Sequence, residues 1–98
     1  MYATIRQYSG TELADLLAAR SDDVEALISN VAGLQGYFLL RTDDGCASIT
    51  VCDDRAGIDQ STRLAADWIR ENASGLALSA PDITTGEVIV RVGSAARA

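Results

Sequence analysis

The sequence predicts an α+β plait: a four-stranded antiparallel sheet with two helices on one face. Three observations predict it. Stretches of period-two alternation and of 3.6-residue periodicity follow one another in the order β-α-β-β-α-β. An Asp44-Gly45 pair separates the two middle strand-like runs, as a two-residue hairpin demands. The 98 residues, 48% hydrophobic and 22% charged, contain no linker, repeat or low-complexity segment, so residues 1–98 form one domain with one core. Only the small, polar end of the chain, 93–98, reads as a loose tail.

Each element has a local reason. "YATIRQY", residues 2–8, alternates and is rich in β-formers, giving the first strand. Ser9 and Glu12 stand at capping-box spacing before a helix whose apolar positions, Leu13, Leu16, Leu17, Val24, Leu27, Ile28 and Val31, keep the helical period. The "RSDD" in its middle either faces solvent or breaks the helix in two, and Gly33 is expected as its C-cap. "GYFLL" with Arg41 and Thr42 is the second strand, and "CASITV" with Cys52 the third. Asp53 or Asp54 caps a second helix over 55–74, on which Ile58, Ser61, Ala65, Trp68 and Asn72 share a face beside Leu64 and Ile69. Gly75 ends it, and "ITTGEVIVRV", 83–92, supplies the fourth strand. This is the split βαβ order of ferredoxin-like domains, whose right-handed crossovers place both helices on one side.

A two-residue turn at Asp44-Gly45 sets Asp43 opposite Cys46 and pairs Thr42 with Ala47, Leu40 with Ile49 and Phe38 with Val51. That nearly all-apolar set, joined by Ala3, Ile5, Val88, Val90 and Val92, is expected to face the helices. The opposite face then carries Tyr2, Thr4, Arg6 and Tyr8, Tyr37, Leu39 and Arg41, and Glu87, Ile89 and Arg91, beside Cys46, Ser48, Thr50 and Cys52. Tyrosine and arginine enrichment is typical of protein interfaces. A homodimer packed sheet to sheet through Tyr2, Arg6, Tyr8, Tyr37, Leu39, Arg41, Glu87 and Arg91 is therefore expected, with a half-wet sheet in a monomer as the rival. The arginines either pair with Glu87 across the dimer or bind an anion inside it. A longer loop would flip the two faces.

Composition excludes several functions. Fourteen acids oppose 8 arginines and no lysine, for a net charge of −6, which disfavours nucleic acid and anionic membrane as partners. No leader and no apolar run of about 20 residues is present, so a cytoplasmic location is expected. Cys46 and Cys52 are the two cysteines, six residues apart, and six residues of strand span roughly 20 Å, too far for a disulfide. With no histidine, and with Asp43-Asp44 and Asp53-Asp54 at turn and cap positions, neither metal nor cofactor is expected. The cysteines read as small strand fillers, the alternative being a reactive thiol at Cys52. Trp68, Asn72 and Ser61 could line a pocket for a planar ligand, Asn72 orienting an oxygen; otherwise Trp68 fills the core and Asn72 sits at a frayed helix end.

The N-terminal strand, "VAGLQGYFLL" leading into strand two, "ITVCDDRAG" running from strand three into the second helix, and the closing "GEVIV" together resemble the dimeric α/β-barrel superfamily. Within it, the chain is similar to antibiotic-biosynthesis-monooxygenase-like domains. The resemblance spans residues 2–92 and implies a homodimer whose two sheets form a barrel, often with a ligand pocket between sheet and helices. Haem-degrading members of that superfamily use a helix histidine, a strand-one asparagine and a tryptophan near the end of strand three. This chain has no histidine, no asparagine in strand one, and Cys52 after "ITV", so haem chemistry of that kind is excluded. The aromatic common at that strand end in the monooxygenases is also missing. Three functions follow: a homodimeric small-molecule binder; a cofactor-free, monooxygenase-like oxidation of an aromatic or polyketide-like substrate; or a ligand-sensing, partner-regulating module, for which the acidic exterior is the hint.

Overall fold

The computed structural model describes residues 1–76 and 78–93. The elements are β1 (Tyr2–Ser9), α1 (Thr11–Ala19), α2 (Ser21–Ile28), β2 (Leu34–Thr42), β3 (Gly45–Cys52), α3 (Arg55–Asn72) and β4 (Asp82–Glu87). The strands form one antiparallel sheet in the order β2-β3-β1-β4, with the helices packed on one side. The plait is therefore the one the sequence predicts. No helix among the described residues is long and apolar enough to cross a membrane. The tail expected at 93–98 lies, from residue 94 onward, outside the described residues.

The first helical segment is two helices, because the chain breaks at Arg20 and "RSDD" starts α2. Arg20 closes the break by pairing with Asp23. Ser9 does not cap α1: it ends β1, and Gly10, at φ 106°, makes the corner without a side-chain cap. Gly33 lies five residues beyond the end of α2, at φ 71°, where its carbonyl accepts from the Asp53 N–H. At α3 the cap is Asp54, whose Oδ1 accepts from the Gly57 N–H at 3.2 Å.

The hairpin turn is Asp43-Asp44, with Thr42 opposite Gly45, so the turn lies one residue earlier than predicted and each cross-strand partner moves by two. Gly45 is needed for close approach: a Cβ there would fall on the Tyr8 carbonyl oxygen. The shift preserves parity, so the two sets of side chains remain as grouped. Their assignment is reversed. Across β2-β3-β1, Tyr37, Thr50 and Thr4 form one row, Leu39, Ser48 and Arg6 the next, then Arg41, Cys46 and Tyr8, all on the helix side. The other side carries Phe38, Ile49 and Ile5 in one row, flanked by Val51 and Ala3 and by Leu40 and Ala47.

Tyr2, Arg6, Tyr8, Tyr37, Leu39 and Arg41 thus cannot form a sheet-to-sheet surface, because they lie on the helix side, where helices cover all but the exposed Arg41, which pairs with Asp15 of α1. Glu87 pairs in register with Tyr2 on that same side, at the open edge of the sheet. The fourth strand also stops early. Its last backbone bond runs from Val88 N–H to the Met1 carbonyl, after which β1 offers no neighbour. Arg91 and Val92, like Ile89 and Val90, are exposed beyond it, so the valines expected in the core do not reach it.

Candidate functional site

The layer between sheet and helices is polar where most sheets are apolar. Thr4, Arg6, Ser48, Thr50 and Ser61 are all buried there, and Arg6 is 1% exposed. Alternation explains why: on β1 and β3 every second residue that faces the helices is a threonine, serine, arginine, tyrosine or cysteine.

Arg6 sits at the centre, between Ser48 on β3 and Ile83 on β4. Its Nη1 donates to Ser61 Oγ at 3.2 Å and Thr62 Oγ1 at 3.1 Å, both on α3, and its Nη2 to Thr50 Oγ1 at 3.2 Å. These partners are neutral. The salt bridges among the described residues are Arg20–Asp23, Arg41–Asp15 and Arg70–Asp67, all at the surface, and none involves Arg6. Arg6 Nε and its cross-strand neighbour Ser48 Oγ are buried without a hydrogen-bond partner. Burial pushes the Tyr37 phenol up to about 12, and it raises Tyr8 as well, outweighing the lowering effect of nearby Arg6. Both phenols are neutral at physiological pH and supply no counter-charge.

Two spaces adjoin Arg6. A cavity of about 30 Å³ lies between the sheet and the helices, walled by Arg6, Tyr8, Tyr37, Ser48, Trp68 and Ile69. It is large enough to hold a water. A groove of about 450 Å³ opens between α3 and the β4 edge, lined by Arg6, Tyr8, Ile69, Leu76, Leu78 and Ile83, with Arg70 beside them. That volume suits a small organic molecule.

Of the predicted pocket residues, Trp68 borders the small cavity, half-buried, with the Arg20 guanidinium 5.4 Å from its ring centre. Ser61 is buried, donates to the Ile58 carbonyl at 2.8 Å and accepts from Arg6. Asn72 is turned the other way: its Nδ2 donates to the Trp68 carbonyl at 2.9 Å and its Oδ1 accepts from Arg20 at 3.4 Å. Neither space includes Asn72 among its walls. The groove itself escaped sequence reasoning, although the apolar residues interrupting "SGLALSAPD" are its trace. Arg41 binds Asp15 of α1 at 2.7 Å rather than Glu87.

Both cysteines are free and buried, and burial raises both thiols, Cys52 further beside Asp53 and Asp54. A thiol of that kind is a filler and not a nucleophile. Among the described residues no cluster of three or more side chains could hold a metal ion.

No family model and no curated protein matches the chain by sequence. Solved structures do match it in fold. The haem-degrader MhuD from Mycobacterium tuberculosis, with two haems bound in its active site, superposes with a TM-score of 0.69 at 15% identity, covering 95% of this chain and 100% of that one. A mutant of SnoaB, a cofactor-independent oxygenase from Streptomyces nogalater, gives 0.65 at 17% identity, over 93% and 95% of the two chains. A dimeric ferredoxin-like protein from an uncultured marine organism gives 0.66 at 14% identity, over 92% and 94%. The fold is thus similar to that of antibiotic-biosynthesis-monooxygenase-like proteins, as the sequence resemblance implies.

Proposed function

We propose that this chain is a small-molecule-binding module that works as a homodimer. The observation that carries the reading is the reversed polarity of the sheet. Its helix-covered side holds a buried arginine and hydroxyls beside an open groove, while its uncovered side displays Phe38 at 63%, Leu40 at 47% and Ile5 at 39% exposure. A domain that buries polar groups and exposes apolar ones is unstable alone unless each side has an occupant. The uncovered face fits a second copy of itself, and the similarity to a dimeric ferredoxin-like protein supports that occupant. The polar side fits a ligand, reached through the groove. Pocket residues in this reading are Arg6 and Tyr8, with Ser61 holding Arg6 from α3, Trp68 at the small cavity beside them and Asn72 holding the end of α3.

The test has two parts. Light scattering at micromolar concentration should give about twice 10.3 kDa. A thermal-shift screen of planar and amphipathic compounds should find ligands that raise the melting temperature, by mass action on the folded state. A flat screen would contradict the binding part of the reading, and a monomeric mass the dimer.

Similarity to a cofactor-independent oxygenase supports a second reading, in which the bound molecule is an aromatic or polyketide-like substrate oxidised by O2 in the groove, next to Arg6 and Tyr8. Oxygen uptake that requires a compound found in the screen would favour it over binding alone.

A further inference from the structure

The groove and Arg6 together specify the kind of molecule the site takes, an inference that rests on the ligand-binding reading above. The chain carries 14 acidic residues against 8 basic ones, yet among the described residues the groove is walled by two arginines, Arg6 and Arg70, and by no carboxylate. Arg70 is already tied to Asp67 at 2.6 Å, which leaves Arg6 as the groove's uncompensated charge.

A buried charge is stable only when paired and hydrogen-bonded. Arg6 has the hydrogen bonds, to three neutral hydroxyls, and lacks the pair; its Nε and the adjacent Ser48 Oγ lack even hydrogen-bond partners. One water in the small cavity would serve those two atoms without neutralising the charge. An oxyanion in the groove, which Arg6 also lines, would supply the missing charge. Most of the remaining wall is apolar, Ile69, Leu76, Leu78, Pro81 and Ile83 among it, and its other polar side chains are the neutral hydroxyls of Tyr8, Thr62, Ser74 and Ser79 and the paired Arg70, so no second unpaired cation awaits a second negative charge.

We propose that the site binds an organic monoanion, a carboxylate whose head meets Arg6 and whose apolar body fills the groove between α3 and β4. Guanidinium geometry suits this partner, since a planar fork matches a carboxylate. Ligand and Arg6 complete each other's charge, so the protein without ligand holds an arginine that weakens the fold.

The experiment compares 2-naphthoate with its neutral amide, 2-naphthamide, by calorimetry and thermal shift, on the wild type and on two variants. Naphthoate should bind the wild type at least tenfold tighter than the amide. Arg6→Met should equalise the two compounds while melting no lower than the wild type without ligand, because a buried unpaired charge has been replaced by an apolar chain. Ile83→Asp, at a half-exposed groove wall where folding tolerates it, should weaken naphthoate at least tenfold more than it weakens the amide, since both lose the apolar wall and only naphthoate meets a like charge. Equal affinity of the wild type for both compounds, or Ile83→Asp without effect on naphthoate, overturns the anion assignment and leaves the binding-module reading standing. Inorganic phosphate binding as tightly as naphthoate overturns the apolar-body part. Failure of every compound in the wider screen removes the parent reading and this one with it.

Discussion

Replacing Phe38 by aspartate should split the dimer without unfolding the chain. Phe38 lies on the uncovered side of the sheet, in one row with Ile49 and Ile5, and touches no helix. A fully covered aromatic side chain buries about 150–250 Å². With 63% of Phe38 still exposed, a second sheet has about 100–150 Å² of it left to cover. At about 25 cal/mol per Å² that is about 3 kcal/mol per protomer, and a two-fold interface uses the residue twice, for about 6 kcal/mol per dimer. The dissociation constant should then rise by a factor of about 10⁴, before the cost of desolvating two carboxylates is counted. Sedimentation velocity over a dilution series reads the assembly, and far-UV circular dichroism checks the fold. A dimer of unchanged concentration dependence would refute the face assignment. So would a Tyr37→Glu variant that dissociates while staying folded, because Tyr37 is packed under the helices.

Three further outcomes follow from the same geometry. Spectrophotometric titration should find Tyr37 ionising last, near pH 12, with Tyr8 above its ordinary value. Since the folded state holds those protons longer than the unfolded one, stability should be level below pH 10 and fall as the pH rises from 10 to about 12; a stability flat through that window would contradict the buried phenols. Gly45→Ala should cost about 1–3 kcal/mol in urea unfolding, because the new Cβ meets the Tyr8 carbonyl and the hairpin must move away from β1; a neutral result would mean that approach is looser than described. Cys46 and Cys52 should resist alkylation in the native protein and react fully once it is unfolded, and fast labelling of Cys52 in the native state would restore the reactive-thiol alternative.

Element order was legible in the sequence because periodicity and capping are local, and side-chain parity because a hairpin carries it across two strands. Which set faces the helices was not legible. The usual rule sends the greasier face, here Phe38, Leu40, Ile49 and Ile5, toward the chain's own helices, and it fails where that face is left open. Arg6 drew attention as an interface residue, but only the Ser61 and Thr62 hydroxyls on α3 show that it points inward. "EVIVRV" alternates as a strand should, yet a strand needs a neighbour, and β1 has run out by Val88. Gly45 was misread for a related reason: its missing side chain serves the approach of Tyr8, a contact distant in sequence.

The central claim, that the two faces of one sheet serve two different partners, is tested most directly by NMR shift mapping on a single labelled sample. Dilution should move the methyl signals of Ile5, Ile49 and Leu40, and 2-naphthoate should move the Arg6 Nε–H, the Trp68 indole and the methyls of Ile69 and Ile83. The account predicts two separate sets. Naphthoate shifts centred on Ile5 and Phe38, with the Arg6 signal unmoved, would contradict it.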